Sequence, residues 1–318
     1  MPPTATVHPM FSPWGRFGLY SFYIDAPEPA VVDTGIATSP AEGMVPALEA
    51  LGRRVEDIRW ILLTHGHIDH IGGAYDLWER TGRRARVVIH EADAPMLRSR
   101  RAHVDEYLAG RGRYLGGDGS GVDAATRAVI SGEMEPTLLV RGGESLDLGG
   151  GTTVSVHALP GHTPGSVAYA LDGQGDVFVG DAVQVHGAAN GFPGYTDPAA
   201  YRAGLVYVRD ALRPRHLYLG HPYRRADGTP YGVELDAEQA REALTQSLEA
   251  EARVGAAACG CLADGPRETD SPYSPFARAA EELGYTGDPA LEPSPFFTSM
   301  HGYRSLHHPH SSHRSFAP

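Results

Sequence analysis

The 318-residue sequence contains no lysine, and all 27 of its basic residues are arginine. That absence removes the Schiff-base nucleophile and the lysine of a phosphate-binding loop from the available chemistry. Cysteine is almost as scarce, with only Cys259 and Cys261, one residue apart. Two cysteines make no disulfide framework, which excludes a small stapled secreted domain and leaves the pair as inert thiols. No stretch approaches the roughly 18 uncharged apolar residues of a membrane span. Residues 1–11 lack the basic-then-apolar order of a signal peptide, so a cytoplasmic protein is expected. Positive charge is outnumbered, 27 arginines against 39 acidic residues, for a formal charge of −12. Such a surface repels phosphate backbones, so neither nucleic acid nor a membrane is an expected partner. The remaining composition, 42% hydrophobic and 21% charged, is that of an ordinary globular chain and excludes wholesale disorder, collagen-like repeats and a coiled coil.

What the sequence has in quantity is histidine, 16 residues, and their positions matter more than their number. Aromatic and β-branched runs predict strands at 17–24, 30–32, 58–63 and 85–89, and again at 152–159, 166–171, 176–179 and 216–219. Helices are expected at 73–80, 91–100, 199–212 and 236–258. Ser39-Pro40-Ala41-Glu42 reads as a capping box opening another that ends near Gly52. Strands alternating with helices in both halves predict an α/β layered architecture. Residues 98–136 are less regular and are expected to form a lid or wall over one face.

The strongest chemical signal is His65-Gly66-His67-Ile68-Asp69-His70, four potential metal ligands in six residues directly after a buried strand. A turn leaving a strand can point His65 and His67 to one side, and Asp69 and His70 to the other, making two adjacent half-sites. Imidazole and carboxylate are the donors that borderline divalent metals such as zinc prefer. Four donors are too few for two ions. Three more candidates, His162, Asp181 and His221, each follow an apolar run. Rigid strand ends are good supports for ligand geometry.

The ordered set of His-x-His-x-Asp-His at 65–70, Gly-His-Thr-Pro-Gly-Ser around His162, Gly-Asp at 181 and Gly-His at 221 resembles the metallo-β-lactamase-fold hydrolases. Within them it resembles the branch of glyoxalase II, acyl-homoserine lactonases and related thioesterases, over roughly residues 15–225. The resemblance implies a four-layer αβ/βα sandwich with metals at one edge of two facing sheets. It implies a catalytic domain at 15–235 with the 98–136 lid, and leaves 236–300 as a helical C-terminal extension. It further implies two divalent ions, zinc above iron or manganese. One would be held by His65, His67 and His162, the second by Asp69, His70 and His221, with Asp181 bridging both and Asp33 supporting the loop from behind. The implied activity is hydrolysis of an ester, lactone or thioester of a small acyl substrate by a metal-bridging hydroxide, with Asp69 orienting or shuttling the proton. The alternative on this scaffold is an iron-dependent oxidoreductase of the persulfide dioxygenase kind.

The remaining expectations concern loops. Tyr195 resembles, in position, the tyrosine that polarises the carbonyl in some lactonases, and His186 is a candidate proton donor. Arg224 and Arg225 could meet a carboxylate or phosphate on the substrate. The region beyond residue 236 is expected to cover the pocket or build a homodimer interface. Residues 301–318, with His301, His307, His308, His310 and His313, read as a disordered histidine-rich tail.

Overall fold

The computed structural model describes residues 5–15, 17–116, 119–188, 191–289 and 294–307. Two six-stranded sheets face each other. The first runs in spatial order through β1 (Thr6–Trp14), β2 (Phe17–Asp25), β3 (Ala30–Val32), β4 (Trp60–Leu62), β5 (Arg86–His90) and β6 (Leu138–Val140). Its first three strands pair antiparallel, and β3 to β6 pair parallel. The second sheet comprises β7 (Ser145–Asp147), β8 (Thr153–Ala158), β9 (Val167–Leu171), β10 (Asp176–Phe178), β11 (His216–Tyr218) and β12 (Glu234–Asp236), also adjacent in sequence order. There only β10 and β11 run parallel.

The parallel strands β3 and β4 are apolar throughout and buried on both faces, as strands covered on both sides must be. Their alternation sorts the layers. Val32, Leu62 and Val88 point inward and meet Val154, Val156, Tyr169 and Phe178 of the other sheet. Their neighbours Val31, Ile61 and Val87 face outward. That outer face packs on residues from α1 (Val45–Ala50), α2 (Ile68–Ile71), α3 (Ala74–Arg80) and α4 (Ala94–Arg98), such as Leu48, Ile71, Leu77 and Leu97. The region expected as a lid is three helices, α5 (Arg100–Ala109), α6 (Gly112–Leu115) and α7 (Ser120–Val129), with α5 packed on α7. The far face of the second sheet, Val177 and Leu217 among it, is covered by α8 (Pro198–Tyr207) and α9 (Ala237–Ala263). α10 (Ala277–Leu283) and α11 (Pro295–His307) pack in turn against α9. The layers are helix, sheet, sheet, helix, with helices continuing to the C-terminal side.

Several details depart from the sequence-based expectations, beginning with the short strands β6, β7 and β12, which no predicted run covers. β1 was not anticipated, because Pro9 and Pro13 interrupt its pattern; it is an edge strand, where a missing N–H costs little. Ser39 caps no helix: its hydroxyl accepts from Ile36 N at 3.0 Å, and a wide turn, Pro40–Met44, precedes α1. The long 199–212 helix ends at Tyr207 and continues as a wide turn to Leu212. Residues 301–307, expected in a disordered tail, are helical in α11, whose Phe296, Phe297, Met300 and Tyr303 are buried. The tail histidines 308, 310 and 313 lie outside the described residues. No described helix is long and apolar enough to cross a membrane.

Candidate active site

β3 and β4 end side by side, and the residues that follow them lock together. Asp33, just past β3, takes a positive φ of 58°, a conformation that aspartate tolerates better than most residues. Its carboxylate accepts from Thr64 N and from the Thr64 hydroxyl, each at 2.8 Å, and its Oδ2 lies 2.8 Å from His70 Nδ1. Thr34 N and its hydroxyl both donate to His70 O, at 2.7 and 2.8 Å. Both ends of the 65–70 turn are therefore tied to the β3 exit. Asp93, after β5, accepts from Gly66 N at 2.7 Å, from the Thr163 hydroxyl at 2.6 Å and from Gly165 N at 2.8 Å. It joins the turn of the first sheet to the His162 turn of the second. The approach is close enough that a Cβ on Gly180 (φ +49°) would collide with the Thr64 hydroxyl.

All seven sequence-predicted ligand residues converge. The ligating atoms of His65, His67 and His162 lie within 4.8 Å of one another, as do those of His65, His70 and Asp181, and those of Asp69, His70 and His221. Asp181 spans the groups: Oδ1 is 3.2 Å from His70 Nε2 and 3.6 Å from His221 Nε2, while Oδ2 is 3.7 Å from His162 Nε2. Asp69 Oδ2 stands 3.2 Å from His221 Nε2.

The rear nitrogens fix the tautomers. Nδ1 of His70 faces the Asp33 carboxylate, Nδ1 of His162 faces Gly194 O at 2.6 Å, and Nδ1 of His221 faces Gly18 O at 2.9 Å. We assign the proton of each neutral ring to Nδ1 on those partners, which turns an Nε2 lone pair toward the centre. His70 Nε2 and His221 Nε2 then confront each other at 3.3 Å. His65 Nε2 and Asp181 Oδ1 are buried without a hydrogen-bond partner. Converging lone pairs and carboxylates repel unless a cation sits among them, so this donor set fits two divalent ions.

The electrostatics of the chain divide the rings. Burial, then the neighbouring imidazoles, push His65 well below the ordinary histidine range, and burial followed by His162 does the same to His67. Burial also opposes charge on His70, but Asp181, Asp33 and Asp69 outweigh it and raise its pKa well above normal. Burial would raise Asp181, yet His221, His70 and His162 hold it well below the carboxylate range. The carboxylates stay ionised and His65 and His67 neutral, while His70 and His221 gather the positive charge that a bound cation would supply.

Residues 15–221 match the model of the Metallo-beta-lactamase superfamily. The chain is 32% identical over 242 residues to a hydroxyacylglutathione hydrolase from Acidiphilium cryptum, covering 76% of this chain and 79% of that one. It is 32% identical over 223 residues to a probable metallo-hydrolase from Mycobacterium tuberculosis, covering 67% and 62%. Among solved structures, a metallo-beta-lactamase family protein from Thermus thermophilus superposes with a TM-score of 0.66 at 22% identity, over 96% of this chain and 94% of that one.

The chain belongs to the metallo-beta-lactamase superfamily.

In this superfamily member a cavity of about 250 Å³ lies over the cluster, with His67, Asp69, His162, Asp181 and His221 in its lining. The lid contributes Arg111 and the apolar Val122, Ala125 and Val129, while Trp14, Ile68, Phe192 and Pro295 complete a largely apolar wall. Four candidates fall outside it, Arg224 and Arg225 as well as Tyr195 and His186. Tyr195, expected beside a substrate carbonyl, is fully buried in the helical layer, stacked on Tyr201 with its hydroxyl 3.3 Å from that of Tyr303. Packing claims it, because α11 covers the loop that carries it. His186 faces a separate cavity, where its Nδ1 lies 3.3 Å from an Arg253 nitrogen. Cys259 is exposed with its sulfur 3.2 Å from His307 Nε2, and Cys261 is buried.

Three site residues escaped the sequence reading. Asp93 had no motif around it, only its place after a buried strand. Gln184 donates to Asp181 O and Gly194 O, at 2.9 and 2.8 Å, and accepts from Gly194 N at 2.7 Å, which braces the His162 support. Tyr223 lines the cavity two residues after His221, and its buried hydroxyl has no hydrogen-bond partner. Burial and the Asp181 charge push its pKa well above normal, so it remains a phenol. An aromatic two positions from a ligand was the available signal.

Proposed function

We propose that the protein is a dinuclear metal-dependent hydrolase of ester-type acyl bonds, with thioesters as the foremost class. The observation that carries this reading is the convergence of seven donors in which Asp181 directs one oxygen to each half-site. Several relatives are hydroxyacylglutathione hydrolases, which act on an acylated thiol.

In this reading His65, His67 and His162 would hold one ion and Asp69, His70 and His221 the other, with Asp181 available to both. Such a pair supplies Lewis acidity toward an acyl oxygen and makes hydroxide available near neutral pH. The chain does the rest. Asp33, Gly18 O and Gly194 O keep the imidazole lone pairs aimed inward. Asp69, in the cavity lining, accepts the proton of the attacking water and passes it to the thiolate or alkoxide that departs as the acyl bond breaks. Tyr223 takes the role expected of Tyr195, donating its phenolic proton in a hydrogen bond to the developing oxyanion. The apolar wall seats the acyl chain and excludes bulk water. No serine or cysteine nucleophile is required.

A panel of p-nitrophenyl esters, acyl-coenzyme A thioesters and lactones, run with metal content measured alongside, tests the reading. Hydrolysis that scales with two bound ions supports it. One equivalent of iron with thiol-dependent oxygen uptake and no hydrolysis would overturn it in favour of an oxidoreductase.

A further inference from the structure

A second cavity of about 300 Å³ shares the Phe192 side of the catalytic cavity but none of its candidate ligands. It is enclosed by the loop that starts at His186, by α9 and by the turn that ends α10. Its charged lining is one-sided: Arg224 and Arg253, with His186 and the phenol Tyr285 beside them and no aspartate or glutamate among the described lining residues. In a chain of net charge −12 that is an unusual concentration. The catalytic cavity, by contrast, mixes Arg111 and four histidines with Asp69, Glu106 and Asp181.

The arginines here differ from most others in the chain. Arg53, Arg80, Arg98, Arg127, Arg141 and Arg202 each pair with a carboxylate. Arg225, the neighbour of Arg224, faces Glu242 at 3.6 Å and stacks over Tyr231 at 3.9 Å. Among the described residues Arg224 and Arg253 have no ion pair. Arg224 Nε donates to Ala188 O at 3.1 Å, and Ala188 lines the catalytic cavity. Its terminal nitrogens meet no carboxylate among the described residues. Arg253 donates to His186 Nδ1, which places the imidazole proton on Nε2 as a further donor. Two guanidinium forks and an imidazole N–H, gathered on one concavity, match the oxygens of a phosphate-type anion.

We propose that this second cavity binds a phosphate-class oxyanion next to the catalytic cavity, through Arg224, Arg253 and His186. Two sources offer that chemistry: a phosphate carried on the thiol half of a thioester substrate, or free inorganic phosphate. In either case the Arg224 bond to Ala188 links the occupant to the wall of the catalytic cavity. The binding claim stands apart from the proposed hydrolase activity; only the substrate-borne source rests on it.

The test uses the metal-loaded full chain. Inorganic phosphate is titrated by calorimetry into the wild type, an Arg224→Gln/Arg253→Gln double variant and an Arg225→Gln control. Phosphate taken up at the metal cluster is common to all three and cancels in the comparison. The proposal predicts a saturable site lost, or weakened at least about tenfold, in the double variant and kept in the control. Equal binding by wild type and double variant, or no saturable binding in the wild type, would overturn it. Steady-state kinetics on a thioester pair that differs only in a terminal phosphate then assigns the source. A KM advantage for the phosphorylated member that disappears in the double variant, with kcat unchanged, identifies the substrate's own phosphate. No such advantage, alongside phosphate binding lost in the double variant, identifies free phosphate. If neither thioester is hydrolysed, the proposed function fails while the calorimetric result still decides the anion site.

Discussion

The first sheet delivers four of the seven candidate ligands from one turn, residues 65–70, whereas the second delivers His162, Asp181 and His221 from three separate strand ends. The first group is set by local geometry: Asp33 and Thr34 clamp a six-residue segment at both ends. The second depends on how β8, β9, β10 and β11 line up, and on single ties such as Asp93 and Gln184. A centre split in this way needs both sheets correctly docked before it can hold an ion. Metal binding should therefore report on the docking of the whole sandwich.

Removing a ligand from each side gives the largest effect and sharpens this contrast. Asp181→Ala, which deletes the shared carboxylate, should lose both ions and all measurable hydrolysis. His67→Ala should lose activity but keep close to one ion. Metal analysis after dialysis reads the difference, and two ions retained by Asp181→Ala would break the bridging assignment. Next in size, Tyr223→Phe should lower kcat by about a hundredfold with metal content intact, as for loss of an oxyanion donor. Tyr195→Phe, which alters only the helical layer, should leave kcat within about threefold of wild type; the reverse ranking of the two tyrosines would restore the sequence-based choice. Asp93→Asn, which loosens the tie between the sheets, should weaken metal affinity by about 10–100-fold. A competitive chelator titration measures it, and an unchanged affinity would show that the two halves dock without this carboxylate.

The lid gives an effect on stability rather than on chemistry. Burial lowers the pKa of His103 to about 4, against about 6.5 in an unfolded chain. The unfolded chain therefore takes up this proton first as pH falls. His103 contributes its stability fully above pH 6.5 and loses it between 6.5 and 4, up to about 3 kcal/mol in all. Denaturant unfolding of His103→Gln should show a shallower decline across that window than the wild type.

Much of this was legible in the sequence because it is local. The 65–70 turn, each apolar run that ends at His162, Asp181 or His221, and each strand or helix pattern is spelled out within a few consecutive residues. The Asp33 support was also readable, through the resemblance. What stayed hidden depends on distant contacts. β1 is disguised by two prolines that an edge strand tolerates. The Asp93 bonds span 27, 70 and 72 residues, so no window of sequence holds both ends. The setting of Tyr195 is hidden because α11, more than 90 residues further on, covers it; the Ser299 hydroxyl of that helix donates to Pro193 O at 2.8 Å and accepts from Tyr195 N at 3.2 Å. Helix α9 gave no sign of its partners, which are α8, α10 and α11.

Anomalous diffraction from crystals of the zinc-loaded protein, recorded on both sides of the zinc absorption edge, tests the central claim most directly. The account predicts two peaks inside the seven-residue cluster, each in contact with a different Asp181 oxygen. A single peak on three histidines, or ions bound only elsewhere on the chain, would contradict it.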